Sequence, residues 1–283
     1  MHRADALRAD VPSATSAAAA LLDRLGRLGG LVVAFSGGVD SAVVLAGAVR
    51  ALGTGAVLAA IADSPSLARA ELATAHRVAG QIGAELVVLR TDEHTDPDYR
   101  ANAGDRCYFC KRTVLAAVRD LARRRGIAHV ATGTHVDDRR AAHRPGLRAA
   151  AQLEVCEPLA DIGATKLVVR SLAAHWNLAV HDKPSTPCLA SRIAVGVPVT
   201  VEALALVEQA ELAASGYLAE CRVPVRDLRV RLLGPAGFRV ELDRAALDGI
   251  CARVRAGLLA RVSKAGVGGN GDVVAYHSGA LSG

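Results

Sequence analysis

The most informative part of the chain is the segment Leu31-Val-Val-Ala-Phe-Ser-Gly-Gly-Val-Asp-Ser41. Its first five residues are the apolar and β-branched types typical of a central parallel strand that is covered on both faces. The serine and two glycines that follow allow a sharp turn and a close backbone approach to a ligand, because glycine has no Cβ and tolerates positive φ. The segment Ser41–Leu52 has the apolar density of a packed helix. We therefore predict a strand, a glycine turn and a helix in direct succession.

A turn of this kind is suited to bind an anion. Backbone N–H groups at a helix start and the positive end of the helix dipole both favour negative charge. An ordinary strand-to-helix turn is the alternative, but an intact Ser-Gly-Gly-Val-Asp-Ser after a strand favours a nucleotide-phosphate loop. The hexapeptide resembles the pyrophosphate-binding loop of the PP-loop ATPases and lacks the Gly-Lys-Ser/Thr ending of a Walker A loop. The resemblance implies cleavage of ATP to AMP and pyrophosphate, and hence adenylation of a carbonyl or carboxyl oxygen.

Composition limits the class of protein. The chain has 283 residues, of which 51% are hydrophobic and only 3% aromatic, and its net charge is +6. The basic residues favour anionic partners such as nucleotides, but no stretch interleaves them with aromatic residues, so we expect no nucleic-acid partner. Six unevenly spaced cysteines favour thiols or metal ligands over a disulfide framework. Because no apolar run spans a bilayer and the first residues lack a signal-peptide core, we expect a cytoplasmic protein without a membrane partner.

Apolar runs and helical periodicities alternate along the first two thirds of the chain. This alternation predicts an α/β fold with a doubly wound, mostly parallel sheet, in which ligands bind at the carboxyl ends of the strands. We expect Ser66 to cap a helix that runs to Ile82, and we expect a loop over residues 91–104. The predicted strands are Leu31–Phe35, Val57–Ile61, Glu85–Leu89, Ala128–Thr132 and Glu154–Leu159.

The pattern changes beyond Pro198. Two helices and three short strands predict a small α+β unit. We expect residues 1–196 to form the nucleotide domain, with residues 1–12 disordered, and residues 197–283 to form a smaller domain for substrate binding or oligomerisation. The elements predicted for it are helices over Val201–Gly216 and Ala245–Val262 and strands over Leu228–Leu233, Phe238–Leu242 and Asp272–His277.

Two short motifs follow predicted strands of the first domain. Cys107 and Cys110 lie near a predicted helix N-terminus, where a thiolate is favoured, although two buried structural thiols are an equal alternative. Asp137 and Asp138 follow the turn at Gly133 and could hold Mg²⁺ beside ATP phosphates, with an Asx-turn as the equal alternative.

A second informative segment is the loop Asp182–Ile193, in which two prolines exclude regular structure. Cys188 beside Arg192 would have a positive environment that favours a thiolate, and a buried inert thiol is the alternative. Arg229 and Arg231 project from one face of a predicted strand, because side chains two residues apart point the same way. Paired arginines suit a bound phosphate, and a solvent-facing edge strand is the alternative.

These motifs together resemble the LarE-type sulfur transferases from about residue 15 to about residue 242. The motifs that carry the resemblance are Ser36–Ser41, Ala62–Ser66, Asp105–Lys111, Arg144–Arg148, Asp182–Pro184 and Pro187–Ile193. It implies ATP and Mg²⁺ as cofactors and a pyridinium dicarboxylate mononucleotide, on the route to a nickel-pincer cofactor, as substrate. It also implies a sequence of reactions in which a carboxylate is adenylated, Cys188 attacks to form a thioester, and Cβ–S cleavage leaves a thiocarboxylate and dehydroalanine.

The local patterns and the resemblance together give the expected roles of individual residues. Cys188 is the expected catalytic cysteine, and Arg192, Arg229 and Arg231 are expected to bind the substrate phosphate. Some relatives hold a 4Fe–4S cluster on three cysteines, and Cys107, Cys110 and Cys188 match those. Asp137 and Asp138 are the expected Mg²⁺ ligands. The residues that we expect to bind ATP are Ala34, Ser36, Gly37, Gly38, Asp40, Ser41, Asp63 and Gly133.

The sequence is also compatible with other functions. Leu232-Leu-Gly-Pro235 departs from the histidine-containing pattern of the family, which leaves room for a different carboxylate acceptor. Another PP-loop enzyme, either a tRNA thiolase or an amidotransferase-type synthetase, is one alternative. A nucleotide-binding regulator without catalysis is another. For the sulfur transferase we expect a homo-oligomer.

Overall fold

The computed structural model describes residues 13–140 and 145–277. The expectation of disorder for residues 1–12, and the Arg144 end of one motif, lie outside the described residues. The strands are β1 (Leu31–Ala34), β2 (Val57–Asp63), β3 (Glu85–Arg90), β4 (His129–Ala131), β5 (Leu228–Leu232), β6 (Phe238–Leu242) and β7 (Gly271–Ala275). The helices are α1 (Ala14–Gly26), α2 (Val39–Leu52), α3 (Arg69–Ile82), α4 (Pro97–Ala101), α5 (Arg106–Arg124), α6 (Val136–Arg140), α7 (Pro145–Gln152), α8 (Pro158–Asp161), α9 (Lys166–His175), α10 (Val201–Glu220), α11 (Arg244–Gly249) and α12 (Ala252–Lys264).

The first sheet is parallel, with the strand order β3-β2-β1-β4. Leu31 at the start of β1 pairs with Val57 on one side and with His129 on the other, so β1 has a strand on both sides. Helices α1, α2, α3 and α9 cover one face through a continuous apolar core. Helix α5 covers the other face, where Val118 and Leu121 pack with strand residues. This arrangement confirms the predicted α/β class, because helices on both faces are what a parallel sheet requires.

The second sheet is small and mixed, with β6 in the middle, antiparallel to β5 and parallel to β7. One face carries Val230, Val240 and Val273, which pack against α10 and α12 in a core of their own. Because side chains alternate along a strand, the opposite face carries Arg229, Arg231 and other charged residues. The separate sheet confirms the predicted smaller α+β part.

Two predictions about the part of the chain before residue 197 are wrong. Residues 154–159 do not form a fifth strand: Cys156 makes a single bridge to Ala131, and the chain enters α8 at Pro158. Proline lacks the N–H that would continue a ladder, and Glu154 adopts a φ of 50°. Residues 91–104 are not a simple loop either, because Asp96 caps α4, with Pro97 in its first turn.

The start of one helix and the continuity of another also differ from prediction. Ser66 does not cap α3, which begins at Arg69 after Ala68. The Ser66 hydroxyl is instead 2.5 Å from the Tyr99 hydroxyl. The predicted helix over residues 245–262 is two helices, α11 and α12, separated at Ile250 and Cys251. In the part of the chain that the structure describes, no helix has the length and apolar character needed to cross a membrane.

Candidate functional site

The Ser36–Ser41 loop joins the end of β1 to the start of α2. Gly37 has a φ of +70°, and a Cβ there would lie 3.1 Å from Ala75, so both the backbone conformation and the packing favour glycine. The Ser41 hydroxyl is 3.1 Å from that of Ser36, accepts the Ser36 N–H at 3.2 Å and donates to the Gly38 carbonyl. The loop is thus held by hydrogen bonds within six residues.

A cavity of about 350 Å³ opens beside this loop at the carboxyl ends of the strands. This is the position where doubly wound sheets bind ligands. Of the residues expected to bind ATP or Mg²⁺, six line the cavity, whereas Gly37, Gly38, Asp63 and Asp137 are not among its lining residues. The six are Ala34, Ser36, Asp40, Ser41, Gly133 and Asp138.

Gly133 and Asp63 show how closely the elements meet around the cavity. A Cβ on Gly133 would lie 2.7 Å from the Ser41 nitrogen and 2.8 Å from the Asp40 carbonyl carbon, so only glycine fits against this backbone. Asp63, at the end of β2, forms an ion pair with Arg69 at 2.7 Å between Oδ1 and Nη1. The cavity wall therefore combines the ends of β1 and β2 with the turn after β4.

Lys166 is a site residue that the sequence patterns did not predict. Its Nζ lies 2.6 and 2.7 Å from the two carboxylate oxygens of Asp40, across 126 residues of sequence. A cation in the first turn of a helix is opposed by the helix dipole, and Lys166 is the first residue of α9, so this position was a usable signal. Lys111 of α5, also missed, lines the same cavity. The site thus contains lysines suited to polyphosphate charge.

The two aspartates expected to bind Mg²⁺ have different surroundings. The Asp137 carboxylate accepts the backbone N–H of Lys166 at 2.7 Å and is 43% exposed. The Asp138 carboxylate accepts the backbone N–H of His135 at 3.1 Å and lines the cavity. Of these two aspartates, Asp138 is therefore the one that lines the cavity, and its carboxylate oxygens are of the kind that Mg²⁺ prefers.

The second expected centre is the loop that carries Cys188. Cys188 is exposed, so the alternative of a buried inert thiol is wrong. The loop enters a short 3-10 helix over Leu189–Arg192, and the Leu189 N–H donates to the Ser66 carbonyl at 2.9 Å. This bond attaches the residue after Cys188 to the segment that follows β2.

Three arginines hold the same loop: Arg192 lies within it, and Arg229 and Arg231 project from β5. Arg192 donates to the carbonyls of Pro187 and Cys188, the latter at 3.0 Å, and to Glu211 at 3.0 Å. Arg229 donates to the Ser185 carbonyl and Arg231 to the Ser191 carbonyl, each at 2.8 Å.

All three arginines are less than one tenth exposed. The alternative that Arg229 and Arg231 face solvent is therefore wrong. Burial, followed by the neighbouring charge of Arg192, lowers the pKa of Arg229. Arg231 forms an ion pair at 2.7 Å with Glu241, which is also buried. The arginine cluster is thus close-packed and partly compensated by carboxylates.

Cys107 and Cys110 lie one turn apart at the start of α5, near Cys188. Desolvation, followed by the charge of Cys188, raises the pKa of both thiols, and Glu93 adds to the shift at Cys110. Three neighbouring thiols are the right donor type for an iron–sulfur cluster. Over residues 13–140 and 145–277, however, no three His, Cys, Asp or Glu side chains converge closely enough to hold a metal ion. The donor type therefore fits a cluster, in which each thiolate binds a different iron, although the described side chains form no site for a single metal ion.

A larger groove, of about 720 Å³, lies between α3 and residues 179–183. Asp182 and Lys183 of one sequence motif line it, and Lys183 forms an ion pair with Glu71 at 2.6 Å. None of the expected catalytic, ATP-binding or metal-binding residues lines this groove. Its volume alone therefore does not make it the functional site.

The fold and site define a doubly wound α/β protein with a Ser-Gly-Gly turn between β1 and α2, a cavity at the strand ends and an exposed cysteine on another loop. No family model matches the chain. It is 31% identical over 229 residues to the pyridinium-3,5-bisthiocarboxylic acid mononucleotide synthase of Lactiplantibacillus plantarum, covering 81% of this chain and 80% of that one. It is 41% identical over 187 residues to an uncharacterised protein of Synechocystis sp., covering 66% and 69% of the two chains.

The chain belongs to the LarE-type sulfur transferase family. At the level of the family it is therefore an enzyme, a sulfur transferase of nickel-pincer cofactor synthesis. An uncharacterised protein of Methanocaldococcus jannaschii is a more distant relative, 25% identical over 199 residues, covering 70% of this chain and 74% of that one.

Proposed function

We propose that the protein is an ATP-dependent, AMP-forming sulfur transferase. It adenylates a carboxylate of a pyridinium mononucleotide and converts it to a thiocarboxylate with the sulfur of Cys188. The observation that carries the proposal is the attachment of the exposed Cys188 loop to Ser66, between Ala62 and Leu67, which both line the cavity. A nucleophile and an activating site are thus joined by one short segment.

The first step makes a poor electrophile reactive. A carboxylate oxygen of the substrate attacks the α-phosphorus of ATP, and pyrophosphate leaves. Backbone N–H groups of the Ser36–Ser41 loop, together with Lys166 and Lys111, are suited to hold the pyrophosphate. Asp138 would bind Mg²⁺, which when present neutralises phosphate charge. The expected ATP residue Gly133 forms part of the cavity wall, and Asp63 is paired with Arg69 at the end of β2.

The second step uses the thiolate of Cys188, the most nucleophilic side chain near neutral pH. It attacks the carbonyl carbon, a C–S bond forms, and the C–O bond to AMP breaks. Removal of the α-proton of Cys188 then breaks its Cβ–S bond and leaves a thiocarboxylate and dehydroalanine. This last step rests on the family resemblance. Arginine N–H groups of the Arg192, Arg229 and Arg231 cluster that the loop does not use are suited to the substrate phosphate.

A 4Fe–4S cluster on Cys107, Cys110 and Cys188 is a second candidate for the source of sulfur. The neighbourhood of the three thiols supports it. Because Cys188 can supply the sulfur by itself, we route no step through a cluster. Iron retained by an anaerobic preparation, and lost from Cys107→Ala, would favour the cluster.

A single-turnover assay with ATP, Mg²⁺ and a pyridinium dicarboxylate mononucleotide tests the proposal. We expect AMP and pyrophosphate in equal amounts, with thiocarboxylate formed alongside. Lys166→Ala should lower the rate, whereas Lys264→Ala, at the end of α12 and not among the residues that line the cavity, should not. Formation of ADP, or dependence on added tRNA, would overturn the proposal in favour of another enzyme class. Absence of turnover with intact ATP binding would favour a regulator.

A further inference from the structure

The segment Ala62–Leu67, at the end of β2 and just beyond it, contacts both the cavity and the loop that carries Cys188. Ala62 and Leu67 line the cavity beside the phosphate loop. Between them, the Ser66 carbonyl accepts the N–H of Leu189, the residue next to Cys188, at 2.9 Å. Any displacement of this segment would therefore change the position of Cys188 relative to a nucleotide in the cavity.

Side chains fix the segment through a buried polar network. The Ser66 hydroxyl lies 2.5 Å from the Tyr99 hydroxyl, and the Ser64 hydroxyl donates to Glu93 Oε1 at 2.5 Å. The Ser64 oxygen also accepts the Ser66 N–H at 3.3 Å. All four residues are less than 9% exposed. A fully buried network of this kind favours one arrangement, because breaking it leaves polar atoms without partners.

Tyr99 also supports the cysteine loop directly. Its ring belongs to the apolar cluster that contains Leu189, Ala190 and Ile193. Burial raises the pKa of the Tyr99 hydroxyl, and the charge of Cys188 adds to the shift. One side chain thus packs with the loop through its ring and holds Ser66 through its hydroxyl.

We propose that Tyr99, acting through Ser66, is a positioning residue that sets Cys188 for attack on the adenylated substrate. The inference rests on the proposed function. It assigns to Tyr99 and Ser66 the second half-reaction, thioester formation, and leaves the first, adenylation, to the Ser36–Ser41 loop and the lysines. The signature is a split between release of pyrophosphate, which reports adenylation, and release of AMP, which reports attack by Cys188.

Rapid-quench single turnovers of Tyr99→Phe and Ser66→Ala test the split. We expect pyrophosphate release within about twofold of wild type and AMP release slowed roughly 10- to 100-fold, as for a misplaced reacting group. Tyr217→Phe, in the separate core of α10 and α12, is the matched control and should leave both rates unchanged.

Two further variants separate positioning from general damage. The double variant Tyr99→Phe/Ser66→Ala should be no slower in AMP release than either single variant, because one hydrogen bond is removed in each case. Ser66→Thr, which keeps the hydroxyl, should restore AMP release. Parallel loss of pyrophosphate and AMP, or unchanged release of both, would overturn the inference. Absence of pyrophosphate from the wild-type protein would instead overturn the proposed function.

Discussion

The loop Ser36–Ser41 and the loop that carries Cys188 are built in opposite ways. The backbone turn of the first loop is held by the hydroxyls of Ser36 and Ser41 through hydrogen bonds that span at most five residues, and Asp40 adds one long-range ion pair, with Lys166. The second is held by Arg229 and Arg231, which are 44 and 40 residues away from their acceptors, and by Ser66. The turn of the Ser36–Ser41 loop is thus mainly a local structure, whereas the cysteine loop depends on the assembled fold.

This difference has a physical consequence. Backbone turns depend on glycine and on steric fit, so the conformation of the first loop should respond more to side-chain volume than to charge. Buried guanidinium groups paired with carboxylates depend on electrostatic compensation, so the second loop should respond to charge and pH. Substitutions in the two regions should therefore fail in different steps and for different reasons.

The largest effect is expected from Cys188→Ala, which removes the nucleophile. Thiocarboxylate formation should fall by roughly 10³-fold or more, because nothing replaces the attacking sulfur. Pyrophosphate release should persist, since the Ser36–Ser41 loop is untouched. Cys221→Ala, a half-buried cysteine at the end of α10, is the control and should keep both activities. Loss of pyrophosphate release from Cys188→Ala would contradict the claim that the two loops serve different steps.

Gly133→Ala is the matching test of the phosphate loop. The new Cβ would lie within 2.9 Å of the Asp40 and Ser41 backbone, so strain of about 1–3 kcal/mol is expected. ATP affinity, measured by calorimetry, should fall about tenfold or more. Gly80→Ala, in α3 with open space around its Cβ, should instead stabilise the protein by about 0.5–1 kcal/mol. Equal ATP affinity in both variants would contradict the steric account.

Glu241→Gln tests the charge dependence of the cysteine loop. It leaves Arg231 buried without its counter-charge, which should lower the free energy of unfolding by about 3 kcal/mol. Urea denaturation checks this value, and ATP affinity should be unchanged where the protein is folded. Glu220→Gln, which removes an exposed pair with Arg261, should cost less than about 1 kcal/mol. Similar losses from the two variants would mean that burial does not matter here.

Asp243→Asn should give the smallest effect, visible only as a pH dependence. Burial opposes ionisation of Asp243, but N–H bonds from Arg226, Ala246 and Asp227 outweigh it and lower its pKa below the ordinary 3.8. A lowered pKa in the folded state stabilises above the unfolded-state value and loses that stabilisation as the pH falls through the folded-state value. Wild type should therefore lose more stability than Asp243→Asn on acidification below about pH 5 in urea melts. Identical pH profiles would contradict the assignment.

Much of the first loop could be predicted from sequence because its determinants are contiguous. The strand β1, the glycine turn and α2 all follow from local pattern. The strand expected over residues 154–159 was wrong because Pro158 ends the pairing and starts α8. Lys166 was missed because its partner, Asp40, is 126 residues away.

The surroundings of the cysteine loop were harder to predict because its contacts are also distant in sequence. Sequence identified Cys188, Arg229 and Arg231 but left open whether the arginines face solvent. Their burial follows from the way the loop covers the charged face of the second sheet. The Ser66 hydroxyl was assigned to a helix cap, because no local pattern indicates that Tyr99, 33 residues later, competes for it. Long-range side-chain contacts of this kind become visible only in the folded chain.

The most direct test of the central claim is the mass of the Cys188 peptide before and after a single turnover. Transfer of the cysteine sulfur to the substrate should convert Cys188 to dehydroalanine, with a loss of about 34 Da, the mass of H₂S, from that peptide alone. The number of modified proteins should equal the number of thiocarboxylates formed. An unchanged Cys188 peptide alongside accumulated thiocarboxylate would contradict the claim that Cys188 supplies the sulfur.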